Sequence, residues 1–354
     1  MSDKLAVLVY VQLGSYPAKT LDLFAEHAKT FNSSFFQVLI TDGIYQSSFA
    51  FDKRIAYTNI SEAALNLLNV KPFYKSLTKS YWLNTFERLF ALRLLSKVPE
   101  IRNLPIIHVE SDVLPFITSK TLAFLQMNFS KLSVPRHDNE RGIGSILYAP
   151  NCQELINGLG DLETLMRVES KVISNDMELL GLGLNHGLIQ ELPSHPSQYG
   201  SQGFKTSDGK RFLFDGAAIG QYLFGQDPFH QGNYRISGYK NSGYRTKTKV
   251  ENFTFAITEE DRVETLMLSY EERDYVITNL HIHSKELLPE LSSTNTRWNR
   301  AIDEANGTSP RLSEFVDEIS PHAQIPGLLT RIQIARNNGI FKALIFYLLR
   351  KLRK

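Results

Sequence analysis

Residues 106 to 115 read IIHVESDVLP. Glu110 and Asp112 stand one residue apart where an apolar run ends. In extended chain, residues i and i+2 project to the same side, so two carboxylates there repel each other. A hard divalent cation with oxygen ligands relieves that repulsion. From the three letters alone, two solvated loop acids are the simpler reading. The place of the pair, just past a buried strand, favours the cation. A second group lies at 279 to 285, NLHIHSK. His281 and His283 share one strand face by the period of two, and Lys285 follows them. Imidazoles can ligate a metal and a lysine can neutralise phosphate oxygens. A pair of surface histidines at a strand end is an equally weighted alternative.

Three further residues carry two readings each. Asp215 opens DGAAIGQYLFG, where it is either the N-cap of a helix or a carboxylate placed to take a proton from an acceptor hydroxyl. Arg88, on an amphipathic helix, is either a solvated charge or a cation that reaches a diphosphate. Asp176 in SNDMELL has the same ambiguity as Arg88, because acids favour first helical turns. Asp42 begins an Asp-Gly pair after the second strand, which reads as a plain turn.

The elements that must position these residues alternate along the chain. LAVLVYVQL is a buried strand by its continuous apolar character. Leu21, Phe24, Ala25, Ala28 and Phe31 then recur at helical spacing, and SFFQVLITD is a second strand. Residues 61 to 69 predict a helix. So do residues 81 to 98, where Trp82, Phe86, Leu89, Phe90 and Leu94 form one face. LPIIHV is the third strand. This order predicts a mostly parallel sheet wound with helices, with ligands at the carboxyl ends of its strands. Further on, GIGSILYAP reads as a strand, and CQELINGLGDLETLMRV and SNDMELLGLGL read as helices. Residues 193 to 210 and 226 to 249 read as long irregular stretches, while NFTFAIT and YVITNLHIHS alternate as strands.

Composition excludes some function classes. The 354 residues are 42% hydrophobic and 21% charged, ordinary for a globular protein with a large core. Lys+Arg at 39 against Asp+Glu at 37 leaves a net charge of +2, so nothing global draws the chain to nucleic acid. Cys152 is the one cysteine, which rules out an internal disulfide and a thiolate zinc site and fits a reducing, cytoplasmic setting. Leu5 to Leu13 loosely imitates a signal peptide, but Asp3 weakens the basic flank, and the run reads as a strand. No stretch reaches the roughly 18 apolar residues of a spanning helix.

The ordered set, with Glu110-Ser111-Asp112 first and HIHSK at 281 to 285 last, resembles the GT-A type glycosyltransferases, which use nucleotide-sugar donors. WLNTFERLFAL, SNDMELLG, FDGAAIGQYLFGQDP and NLHIHSK also resemble a group of uncharacterised glycosyltransferase-like proteins. The resemblance spans residues 1 to 290. It implies an α/β fold with a GT-A-like mixed, mostly parallel sheet flanked by helices, forming a catalytic domain over 1–290. Residues 291–354 then form a C-terminal helical extension. It implies Mn²⁺ or Mg²⁺ held by Asp112, Glu110, His283 and His281, with Asp112 the more direct acid because the first member of the triplet is Glu rather than Asp. Asp42, Arg88, Glu110, Ser111 and Lys285 are the expected contacts to the nucleotide sugar. Asp215 is the expected base at a glycan or lipid-linked acceptor. A nucleotidyltransferase acting on sugar phosphates is the competing enzyme reading, but VYVQLGSYPAK lacks its Gly-rich basic loop. A glycosidase would need two opposed carboxylates and no metal. A non-catalytic carbohydrate-binding protein is the reading outside enzymes.

The chain closes on GIFKALIFYLLRKLRK, residues 339 to 354. Its apolar centre is too short to span a bilayer, and four of its last five residues are basic. The pattern predicts an interfacial helix on an anionic membrane surface, at the inner face in a cytoplasmic protein, with a docked terminal helix as the alternative.

Overall fold

A computed structural model describes residues 4–14, 18–44, 46–57, 80–169, 173, 175–206, 209–224, 253–260 and 263–282. The predicted helix at 61–69, the extension over 291–354, the basic tail, His283 and Lys285 lie outside the described residues.

The order opens with β1 (Ala6–Gln12), α1 (Ala18–Phe31), β2 (Phe35–Thr41) and β3 (Lys53–Ala56). It continues with α2 (Ser80–Ala91), β4 (Ile106–Val109), β5 (Val113–Pro115) and α3 (Ser119–Asn128). Next come β6 (Ser133–Pro135), β7 (Ile146–Ala149), α4 (Cys152–Val168), α5 (Asp176–Asn185), β8 (Gln190–Leu192) and α6 (Gln198–Ser201). β9 (Arg211–Leu213) and α7 (Ala218–Phe224) lead to β10 (Thr254–Glu260), β11 (Val263–Tyr270), β12 (Arg273–Ile277) and β13 (Asn279–His281).

Seven strands form the central sheet in the order β3-β2-β1-β4-β7-β6-β8. β3, β2, β1 and β4 run parallel, β7 is antiparallel to both β4 and β6, and β8 is parallel to β6. This is the α/β architecture expected, a mixed and mostly parallel sheet flanked by helices. β1 is buried along its whole length because both faces are covered. Val7, Val9 and Val11 pack with Phe86, Leu89 and Phe90 of α2 and with Leu155 and Leu159 of α4. Ala6, Leu8 and Tyr10 pack with Leu21 and Ala25 of α1 and with Leu122 and Leu125 of α3. The period of two thus sends alternate side chains into two cores.

A second sheet, β10-β11-β12-β9, packs its own apolar face with Ile219 and Leu223 of α7. A short pairing joins β5 to β13.

Three differences from the sequence expectation stand out. The helix predicted over 81–98 is α-helical only to Ala91 and tightens to a 3₁₀ helix over Leu92–Lys97. The strand predicted over 275–284 divides at Thr278, its two halves pairing with different partners, β9 and β5. The eight-residue strand β11 was not read, and the three-residue strands β5, β6, β8 and β9 were not legible, since three residues carry no readable period. Among the described residues, no helix is long and apolar enough to cross a membrane.

Candidate metal centre

β4 stops at Val109, opposite Tyr10, and its neighbour β1 runs two residues further, to Gln12. The residues after β4 do not stay extended. The Val113 N–H donates to the Glu110 carbonyl at 3.1 Å, closing a four-residue turn over Glu110-Ser111-Asp112-Val113. The two carboxylates therefore converge through a turn rather than through the strand period. Ser111, at its centre, is buried. The turn is pinned from the opposite side, where the Glu110 N–H donates to the Ser145 carbonyl at 3.0 Å.

His281 arrives from 169 residues later in the chain by the β5–β13 pairing, whose register sets His281 opposite Val113. The Ile282 N–H donates to the Asp112 carbonyl at 2.9 Å and extends that ladder past the turn. Nδ1–H of His281 donates to the Gly216 carbonyl at 2.6 Å. A carbonyl can only accept, so this bond fixes the proton on Nδ1 and turns Nε2 toward the acids. Nε2 then lies 3.5 Å from Glu110 Oε2 and 3.5 Å from Asp112 Oδ1. Both separations exceed an ordinary charge-assisted hydrogen bond, typically about 2.7–2.9 Å.

One atom from each of Glu110, Asp112 and His281 lies within 4.8 Å of the others. Two carboxylate oxygens and one imidazole nitrogen make a donor set that suits Mn²⁺ and accommodates Mg²⁺. Burial opposes a charge on the His281 ring, but Asp112 and Glu110 outweigh it and hold its pKa up at about 9. A proton on Nε2 and a cation therefore compete for the same lone pair.

Arg88 reaches the site from α2, its guanidinium 2.9 Å from Glu110 Oε1. That leaves Oε2 as the Glu110 oxygen turned to His281. Asp176, the first residue of α5, is buried close by. Burial pushes its carboxyl up to about 6; the charge of Glu110 adds to the rise, and Arg88 and Thr85 oppose it. The sequence left Asp176 between a helix-start acid and a functional one, and the structure places it at both the first turn of α5 and within the field of Arg88 and Glu110. His108 is buried in the strand with Nδ1 at 3.0 Å from the Val9 carbonyl. Burial lowers its pKa to about 4, so it stays neutral and takes no part in the donor set.

Asp215 lies two residues before the N-cap position of α7, Ala217, yet its carboxylate reaches the first N–H groups of that helix. Its Oδ1 accepts the Ile219 N–H at 3.0 Å and its Oδ2 the Gly220 N–H at 2.8 Å, and it is 1% exposed. Asp42 lies apart from the metal-ligand cluster, at the carboxyl end of β2. Its Oδ2 accepts the Gly14 N–H at 2.7 Å and its Oδ1 the Ile44 N–H at 3.1 Å, which ties the chain after β1 to the chain after β2.

No protein-family model matches the chain, and no curated protein does. Solved structures of similar shape include the glycosyltransferase GlyE of Streptococcus pneumoniae TIGR4, at 12% identity over 57% of this chain and 50% of that one, with a TM-score of 0.36. Mouse xyloside xylosyltransferase 1 in its apo form is 9% identical over 55% of this chain and 90% of that one, with a TM-score of 0.35. The galactosyltransferase LgtC, in complex with donor and acceptor sugar analogs, is 14% identical over 57% and 80%, with a TM-score of 0.37. The chain spans half the length of GlyE. Likenesses this distant carry no part of the functional argument, which stands on the site itself.

Proposed function

We propose that this protein is a metal-dependent glycosyltransferase, moving a sugar from a nucleotide-sugar donor to a glycan or lipid-linked glycan. The observation that carries the reading is the convergence of Glu110, Asp112 and His281 at the carboxyl end of a sheet strand. That is where α/β folds bind their ligands. The order of motifs along the sequence, from ESD to HIHSK, supports it.

In this reading Asp112, Glu110 and His281 hold Mn²⁺ or Mg²⁺. When bound, the cation supplies Lewis-acid stabilisation of the departing diphosphate. Arg88 does two things: it holds Glu110 in place, and it offers a fixed positive charge to diphosphate oxygens. Ser111 shapes the turn, and Asp42 shapes the loop ends of β1 and β2 that would face the nucleotide. His283 and Lys285, on the sequence pattern alone, belong to the same site as a further ligand and a phosphate contact. As the bond from the sugar to the diphosphate oxygen breaks and its electron pair stays on that oxygen, the acceptor oxygen forms the new bond and its proton passes to an oxygen of the departing diphosphate. The tail over 339–354 brings the enzyme to a lipid-linked acceptor at the inner membrane face.

The test is hydrolysis or transfer across a panel of nucleotide sugars with Mn²⁺, comparing the parent with Asp112→Ala. The expected result is turnover of one donor class by the parent and a loss of about 100-fold or more in the variant, of the order seen when a key electrostatic group is removed. A parent that neither binds nor turns over any donor sinks the transferase reading. Equal turnover by both proteins sinks the metal assignment.

A further inference from the structure

We propose that Asp215 is a positioning residue whose carboxylate and main chain fix His281 against the Glu110–Asp112 turn, and so set the affinity of the site for a divalent cation. This rests on the metal-site reading above and deepens it.

A helix N-cap needs only the N–H groups of its own helix. Asp215 accepts one more. Its Oδ2 also takes the main-chain N–H of His281 at 3.1 Å, so one carboxylate joins the start of α7 to the strand that carries the imidazole. The next residue holds the ring, because the Gly216 carbonyl accepts Nδ1–H. Main chain and side chain of His281 are thus both fixed on the dipeptide 215–216.

The dipeptide is itself gripped. Asn279 Nδ2 donates to the Asp215 carbonyl at 2.8 Å, and the Asp215 N–H donates to Asn279 Oδ1 at 3.1 Å. Ser145 Oγ–H also donates to the Asp215 carbonyl, at 3.1 Å. The carbonyl of that same Ser145 receives the Glu110 N–H. Asp215 therefore touches the donor set directly at His281, and one residue, Ser145, separates it from Glu110. Packing leaves no slack: a Cβ added at Gly220 would lie 2.2 Å from the His281 carbonyl oxygen and 3.0 Å from Asp215 Oδ2. Asp215 is enclosed by these partners, so an acceptor hydroxyl meets it only if the start of α7 opens. Outer groups of this kind set the placement of metal ligands, and their loss usually weakens metal affinity by about 10- to 100-fold.

Asp215→Ser separates the two roles. Serine leaves one short hydroxyl in place of the carboxylate, and that single oxygen cannot serve both the helix N–H groups and the His281 N–H. Asn279→Ala is the second variant, releasing the main chain of Asp215 while leaving its carboxylate. Mn²⁺ titration of the full-length chain, followed by electron paramagnetic resonance without substrate, is expected to show affinity weakened about 10- to 100-fold in Asp215→Ser and in the same direction in Asn279→Ala. The circular dichroism spectrum should stay that of the parent, and turnover should recover as Mn²⁺ is raised. Turnover lost with unchanged Mn²⁺ affinity would make Asp215 the proton acceptor and overturn the proposal. Unchanged affinity in both variants overturns it as well. A parent that binds no Mn²⁺ removes the metal reading along with it, a result distinct from either.

Discussion

At the residue scale, His281 carries the largest consequence. Its ring donates through Nδ1 to a carbonyl and faces two carboxylates through Nε2. Buried histidines usually lose their proton, as His108 and His195 do with pKa values lowered to about 4. At His281 the acids reverse that and raise it to about 9. A folded-state pKa above the ordinary 6.5 contributes stability that is fully present below pH 6.5 and lost as pH rises through about 9. Metal binding runs the other way, since the cation must displace the proton from Nε2. Mn²⁺ affinity should therefore rise with pH up to about 9 and level off there. At pH 7 about one proton should be released per Mn²⁺ bound. Calorimetric titration in buffers of different ionisation enthalpy measures that number directly, and zero protons released would place the cation away from His281. The two acids and the His-x-His pair were legible as residue types. What decided their geometry was not: a turn bond from Val113 to Glu110 and a strand pairing from a remote segment leave no local mark on the sequence.

At the element scale, the site depends on how closely the segment between β6 and β7 lies on α5. A Cβ added at Gly181 would fall 1.9 Å from the Glu140 carbonyl oxygen and 2.6 Å from the Arg141 nitrogen, so helix and loop main chains touch. The Gly142 N–H donates to the Met177 carbonyl at 2.9 Å and continues that contact toward the site. Three residues on, Ser145 anchors Glu110. Gly181→Ala must push the loop away, because main chain yields less readily than a side-chain tip. Overpacking of this sort costs about 1–3 kcal/mol. The displaced Ser145 should also loosen the acid turn. Chemical denaturation is expected to show that loss of stability, and Mn²⁺ titration a weaker site. Full affinity in a destabilised variant would show that the loop does not transmit to Glu110. The helices α1, α2, α4 and α5 were legible in the sequence, as was GIGSILYAP as a strand, but α3 and the short α6 were not. The glycines in LLGLGL carried no signal of what pressed against them, because close approach of two main chains is a tertiary fact.

At the scale of the whole molecule, charge is unevenly divided. The chain is +2 overall, yet residues 339–354 hold five Lys and Arg and no acid. The other 338 residues carry 34 basic against 37 acidic side chains, a net −3. On the proposed membrane reading, an anionic surface would attract the end of the chain rather than the net-negative remainder. Each basic residue near such a surface is worth about 1 kcal/mol, and the attraction falls off within a Debye length, about 10 Å at 0.1 M salt. The apolar run Ala343 to Leu349 lies directly before the last basic cluster and, on the proposed interfacial reading, would add burial in the headgroup boundary. The full chain should then cosediment with vesicles containing anionic lipid and release as salt is raised, while neutral vesicles retain much less of it. Deleting residues 339–354 should abolish the salt-sensitive part and leave hydrolysis of a soluble nucleotide-sugar donor intact, because Glu110, Asp112 and His281 lie far from the tail in sequence and are held together by β4, β5 and β13. Transfer to a vesicle-bound acceptor should fall in the same variant. Vesicle binding that survives the deletion would move the membrane contact off the tail. Loss of donor hydrolysis would instead make the tail part of the catalytic body.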